Sequence, residues 1–280
     1  MIQKKFSVGK TVVFVAMAAV CASYILLMLW AFLSSLKGSV EFIGDKVGLP
    51  RHWLFSNYAK AWRTLRAGGK GVPTMIFNAL WYSCGVIVVS TASTVCFAYV
   101  MARFKFPGAK VINVVNIFVM MVPILGSLPS LMRIVLGLGL YDSPLFLLTS
   151  VSGMGGGLII YRTAFRNVPW EFAEAAYIDG AGHFRTFLTV MLPQIVPIIV
   201  ALSITSLIGV WNDYTTPILF LPSYQNMASG LYVYQIENAR TLDTPLLFAG
   251  CLMCAAPMLA IFAFGQKYMM EINLSGGLKG

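Results

Sequence analysis

The chain's 280 residues would suit one large soluble domain or two. However, 58% of them are hydrophobic, only 11% are charged and the mean hydropathy is +0.78. That leaves too little polar surface to cover a water-soluble globule and points to the bilayer core as solvent. A net charge of +10 would suggest nucleic acid in a soluble protein. Here the basic residues sit between long apolar runs, which favours membrane topology and anionic headgroups as the reason.

Lys4, Lys5 and Lys10 before an apolar run resemble a signal peptide. The uncharged run from Thr11 to Leu36 is too long for a signal core, and no clear small-residue cleavage site follows, so an uncleaved first span is expected at 11–33. Charge-free runs then predict spans at 77–101, 111–132, 143–161, 190–212 and 244–266. The fold class expected is all-α integral membrane, with about six transmembrane helices in a single transmembrane domain over 1–280. Gly153 to Gly157 lie inside the fourth run, where they suit close helix packing or a local break. A seventh uncharged run, Tyr214–Ile236, holds Pro217, Pro222, Ser223, Gln225, Asn226, Ser229 and Gly230. Turn formers that dense predict a loop with a short hydrophobic or re-entrant piece.

With the N-terminus inside, the inside segments collect Lys4, Lys5, Lys10, Arg103, Lys105, Lys110, Arg162, Arg166, Arg185, Lys267 and Lys279. The short outside loops hold Arg133 and Arg240. The long first outside loop, roughly 34–76, carries seven more, but long segments obey the rule less well. Both termini are expected inside. The five cysteines, Cys21, Cys84, Cys96, Cys251 and Cys254, lie in apolar runs and read as small buried hydrophobes. The single C-x-x-C has no second pair and no nearby histidine, so no metal site is expected.

The informative segment is the loop from Arg162 to Leu192, which holds Glu171, Glu174 and Asp179 of only ten acidic residues. Pro169 suits a helix start, Glu171 the first turn and Gly180 a C-terminal stop. Phe172, Ala175, Ala176 and Asp179 share one face by spacing. A short, mildly apolar helix of this kind is shaped to sit in a groove on another protein.

Glu174-Ala175-Ala176, then Gly180, Val190 and Leu192-Pro193, resembles the EAA loop of binding-protein-dependent ABC importer permeases. Val190 stands where that pattern usually has Ile. Asp179-Gly180-Ala181, the segment Ala98 to Gly108, Trp211-Asn212-Asp213 and the tail Leu274 to Gly280 are similar to the maltose-type carbohydrate branch. The resemblance runs from about Asn78 to the last residue. It implies a cytoplasmic EAA coupling helix between spans 4 and 5, within a loop over 162–193, that docks into a separate ATPase subunit. Glu174 and Gly180 would carry the docking geometry, Ala175 and Ala176 would keep the helix thin, and Leu192-Pro193 would set how the loop re-enters the membrane. Implied partners are a second, non-identical permease, two ATPase subunits holding ATP and Mg, and an extracytoplasmic solute-binding protein. The setting implied is a bacterial inner membrane.

The chain has no P-loop: Gly68-Gly69-Lys70-Gly71 puts Gly where Ser or Thr is needed. No nucleophile–base set stands out, so ATP hydrolysis is expected of a partner and no cofactor of this chain. The span centres lack charges, which argues against a proton-coupled path. Trp211, Asn212 and Tyr214 are candidates for the substrate path, with Tyr224, Tyr232 and Tyr234 as further aromatics, although aromatic residues collect at membrane interfaces anyway. The sequence points to an importer subunit for a sugar or oligosaccharide. An importer of another polar solute and a secondary transporter stay open as alternatives.

Overall fold

A computed structural model describes residues 8–122, 126–237 and 243–276, with side chains described to residue 266. Lys4, Lys5, Arg240 and the tail over 277–280 lie outside the described residues, as does the side chain of Lys267. Among the described residues the regular structure is helical apart from two short strands. In order it forms α1 (Val8–Ser35), α2 (Ser39–Gly44), α3 (Ser56–Thr64), β1 (Arg66–Ala67), β2 (Lys70–Gly71), α4 (Val72–Arg103), α5 (Ala109–Met121) and α6 (Ser127–Gly137). A 3-10 turn over Pro144–Ser150 precedes α7 (Gly156–Asn167) and α8 (Glu171–Ile178). Next come α9 (His183–Thr186), a π segment (Phe187–Met191), α10 (Leu192–Trp211), α11 (Thr215–Phe220), α12 (Met227–Glu237) and α13 (Thr244–Gly276).

Among the described residues, four stretches are long and apolar enough to cross a membrane: Gly9–Ser35, Val72–Arg103, His183–Trp211 and Thr244–Gln266. They correspond to the expected first, second, fifth and sixth spans; the first three start earlier than expected, and the sixth has the expected bounds. At 1.5 Å per residue α4 is about 48 Å long, longer than the hydrocarbon core of about 30 Å, so its ends reach the headgroup region. The third and fourth expected spans differ. The run 111–132 contains two helices: α5 ends where Val122 turns extended, and Gly126 caps α6 at φ +74°. The run 143–161 is also no single helix, for irregular backbone separates the 3-10 turn from α7. Gly155 stands at φ +109°, ψ −170°, a region that only glycine occupies at ease.

The contacts divide the chain into two compact units, Met1–Arg66 with Leu231–Ala256, and Ala67–Gly230 with Pro257–Gly280. In the first unit the expected long loop is folded. Lys37 is 1% exposed, and its Nζ donates to the Asp45 carbonyl at 2.7 Å. Asn57 Nδ2 donates to the Ser35 and Lys37 carbonyls, each at 2.8 Å. Trp30 packs edge-on against Phe248 and donates its indole N–H to Lys46 O at 2.8 Å.

In the second unit α4, α7 and α10 enclose a core of Ala98, Tyr99, Leu158, Phe165, Phe187 and Ile195 with their neighbours. Polar side chains satisfy the backbone of the broken fourth run. Ser93 Oγ accepts from Ser152 N at 3.0 Å, and Thr94 Oγ1 donates to Ser152 O at 3.0 Å. Asn116, 1% exposed, accepts from Gly155 N at 2.6 Å and donates to Gly155 O at 3.4 Å. Irregular backbone at membrane depth persists only where protein or water replaces the lost ladder bonds.

The seventh uncharged run is no continuous span, but it is not the expected loop either, for most of it is helical. It folds as α11, a 3-10 turn and α12, held by Asn78 Nδ2 on Gln225 O at 3.0 Å and Asn226 Nδ2 on Asp213 O at 2.8 Å. Of the cysteines only Cys254 is buried; Cys21, Cys84, Cys96 and Cys251 are exposed. The expectation of burial was wrong for these four because the surface of an apolar bundle is itself apolar, so a small hydrophobe need not be inside.

Candidate functional site

The site is α8 and its supports, all within the second unit. The eight-residue helix begins after Pro169, with Trp170 rather than Pro169 as its cap residue. Trp170 O accepts from Ala173 N at 2.8 Å and from Glu174 N at 3.1 Å. Glu171 and Glu174 occupy the first turn, where the orphan N–H groups and the dipole favour negative charge.

The end of α8 explains Gly180. Ala181 N donates to Ala176 O at 2.9 Å and Gly180 N to Tyr177 O at 3.0 Å, the paired bonds of a Schellman cap. Such a cap needs a left-handed residue after the cap position, and Gly180 has φ +79°. A Cβ built there would touch nothing within 4 Å. The requirement for glycine is therefore conformational and not steric.

The faces of α8 differ from the expected grouping. Ala173 (0% exposed) joins the core of α4, α7 and the π segment, and Ala176 (9%) is buried as well. Phe172, Glu174, Ala175, Ile178 and Asp179 are exposed. Ala176 therefore lets α8 lie close against its own unit, and Ala175 is the small residue on the outer face. Ile178 is 86% exposed and Phe172 48%, leaving an apolar outer face uncovered.

Two supports were not singled out in the sequence. Arg103, counted only for topology, donates Nη2 to Phe165 O and, at 2.5 Å, to Val168 O. Its guanidinium lies over the Trp170 ring, 5.1 Å from the centroid. It thus ties the end of α4 to the turn that launches α8. Tyr177 OH meets His183 Nδ1 at 2.9 Å, fastening the end of α8 to α9. Spacing gave no signal for either, because both pairings cross helices.

Leu192 and Pro193 do not end a loop. They open α10 inside a continuous helical rod that starts at His183, earlier than the expected boundary of 190. Pro193 has no N–H to donate four residues back, and the π segment Phe187–Met191 takes up that irregularity.

The substrate-path candidates are placed apart in exposure. Trp211 is 1% exposed and packed, so in this conformation its ring is closed to a solute. Asn212 is exposed and donates Nδ2 to Ile208 O at 2.8 Å. Tyr214 is 43% exposed.

The family model described as binding-protein-dependent transport system inner membrane component matches residues 94–269. The chain is 30% identical over 244 residues to the diacetylchitobiose uptake system permease protein of Streptomyces coelicolor, covering 86% of this chain and 79% of that one. It is 30% identical over 252 residues to the melibiose/raffinose/stachyose import permease protein of Bacillus subtilis, covering 88% of each. Its fold superposes on a chain from the crystal structure of a bacterial ABC transporter involved in alginate import. The TM-score is 0.75 at 21% identity, over 94% of this chain and 98% of that one. With the matched region spanning the core of α4, α7 and α10, the whole of α8 and most of α13, the chain belongs to the inner membrane components of binding-protein-dependent transport systems.

Proposed function

We propose that this permease forms half of the translocation pathway of an ATP-driven importer for a sugar or oligosaccharide, and that α8 is its contact with a separate ATPase. The observation that carries the coupling role is the uncovered apolar outer face of α8, Phe172 and Ile178, beside the acidic first turn. An eight-residue helix held from behind by Ala173, Ala176, Arg103 and a Schellman cap is a rigid handle for a groove on another protein. Movement of the handle would bias two arrangements of the membrane helices.

In this reading Glu174, Ala175, Asp179 and Gly180 set the docking geometry, Ala176 sets the distance of α8 from its own core, and Leu192-Pro193 begin the rod that carries motion into the membrane. The partners are a second permease, two ATPase subunits that bind ATP and Mg, and an extracytoplasmic binding protein. The termini and α8 face the cytoplasm of a bacterial cell. The sugar assignment is supported by the diacetylchitobiose and melibiose/raffinose/stachyose relatives.

The test is to pull down the cognate binding protein and identify its bound solute by mass spectrometry, then follow uptake of that solute by cells. A saccharide whose uptake ignores an uncoupler and stops when the ATPase is lost is the expected result. Uptake that collapses with the uncoupler and survives loss of the ATPase would contradict it. An amino acid as the bound solute would overturn the sugar assignment alone.

A further inference from the structure

A pocket of about 520 Å³ lies where α4 ends, within the second unit. Arg103, Lys105, Lys110, Arg162 and Arg166 line it together with Asn113, and no Asp or Glu is in its wall. Five cations around one concavity raise a positive potential that only an entering anion relieves. Two of the five are fixed in place. Arg103 holds the Phe165 and Val168 carbonyls, while Arg162 holds Met101 O at 3.2 Å and Asn113 Oδ1. Lys105, Lys110 and Arg166 are exposed and able to reach a ligand.

The N-terminus of α5 opens on the same pocket, with Gly108 at φ +93° as its cap and Ala109, Lys110 and Val111 in the wall. No side chain caps that end. Its first-turn N–H groups and dipole add to the pull on a negative group.

The surroundings narrow the class of anion. From the pocket, Val111, Val114, Phe118 and Met121 run up one face of α5, 63%, 67%, 65% and 76% exposed. The membrane-length helix α4 ends in the pocket wall at Arg103, so the pocket sits where hydrocarbon gives way to water. A free phosphate would use the cations and leave that apolar strip bare. A lipid would use both.

We propose that this pocket is a binding site for the phosphate headgroup of an anionic phospholipid, whose acyl chain lies along the Val111–Val114–Phe118 face of α5. It is a discrete site, distinct from the diffuse attraction that any basic loop feels near an anionic membrane.

The experiment uses the full chain, purified in detergent with its co-purifying subunits, and native mass spectrometry to count retained lipids. Phosphatidylglycerol and phosphatidylcholine are offered in turn. Wild type should retain one phosphatidylglycerol per chain and no phosphatidylcholine. The triple variant Lys105→Gln, Lys110→Gln, Arg166→Gln should weaken retention about a hundredfold. A charge-matched control, Lys60→Gln, Arg63→Gln, Arg185→Gln, should leave it unchanged. Equal loss in both triple variants, or undiminished retention in the first, would overturn the proposal. So would displacement of the lipid by inorganic phosphate or glycerol phosphate at matched concentration, which would mark a site for free phosphate.

Discussion

Gly180 and Arg103 do most to set α8, and they do so differently. Gly180 supplies a left-handed backbone, for which an L-residue is penalised by roughly 1–2 kcal/mol. Because a Cβ there meets open space, Gly180→Ala should insert and express normally. It should lower coupled transport about tenfold, because docking must hold that strained backbone. Gly180→Asn should keep more activity, since Asn tolerates that region. Initial uptake rates at matched membrane levels check both. Arg103 works through a two-carbonyl grip and a stacked ring. Arg103→Lys keeps the charge and loses the planar fork, so binding-protein-stimulated ATPase activity should fall although α4 still inserts.

In the first unit, Asp45 accepts from Gly48 N at 2.7 Å and Val47 N at 3.2 Å, which hold its carboxyl below the ordinary value of 3.8. A depressed carboxylate stabilises the loop at neutral pH, and the contribution fades as pH drops through the folded-state value. Asp45→Asn at pH 7 should speed amide exchange at Val47 and Gly48, and acid below about pH 4 should have little further effect on the variant there.

The elements divide by how their backbones are satisfied. α1, α4, the rod from His183 and α13 run on as helices long enough to cross a membrane, and charge-free runs found all four. The third and fourth runs are equally free of charge, yet each is broken. Hydropathy reports which solvent a segment prefers and says nothing about where the helical ladder fails. Only the glycines from 153 to 157 hinted at the break. The other half of the signal was polar residues stranded in apolar runs: Ser93, Thr94 and Asn116 lie far from Ser152 and Gly155 in sequence and bond them in space. Asn116→Leu should therefore leave the Gly155 N–H without its partner, since the Gly155 carbonyl also opens the ladder of α7. The cost is about 1–3 kcal/mol, seen as a thermal midpoint several degrees lower in detergent. The neighbouring exposed change Val115→Leu should leave the midpoint unmoved.

For the molecule as a whole, the importer family and the presence of a short acidic helix after the fourth apolar run were both legible. The cue was chemical: acids, a helix start and a terminal glycine in a chain otherwise poor in charge. The faces of α8 were not legible. Counting three and four residues along a helix relates Phe172 to Ala175 and Ala176, but cannot say which side meets the core. Packing decided that, turning Ala173 and Ala176 inward and leaving Phe172 and Ile178 uncovered. Ile178→Asp should accordingly leave insertion and thermal stability near wild type, since the side chain touches little of its own unit, while cutting ATPase co-purification at least tenfold.

The direct test of α8 as the grip for an ATPase is site-specific cross-linking from Ile178→Cys, in a chain cleared of its five native cysteines. In intact cells the new thiol should resist a membrane-impermeant reagent. In inverted membrane vesicles it should cross-link to an ATPase subunit, with a yield that changes when ATP is added. Labelling of that thiol from the outside of intact cells, with no ATPase adduct in vesicles, would contradict the account.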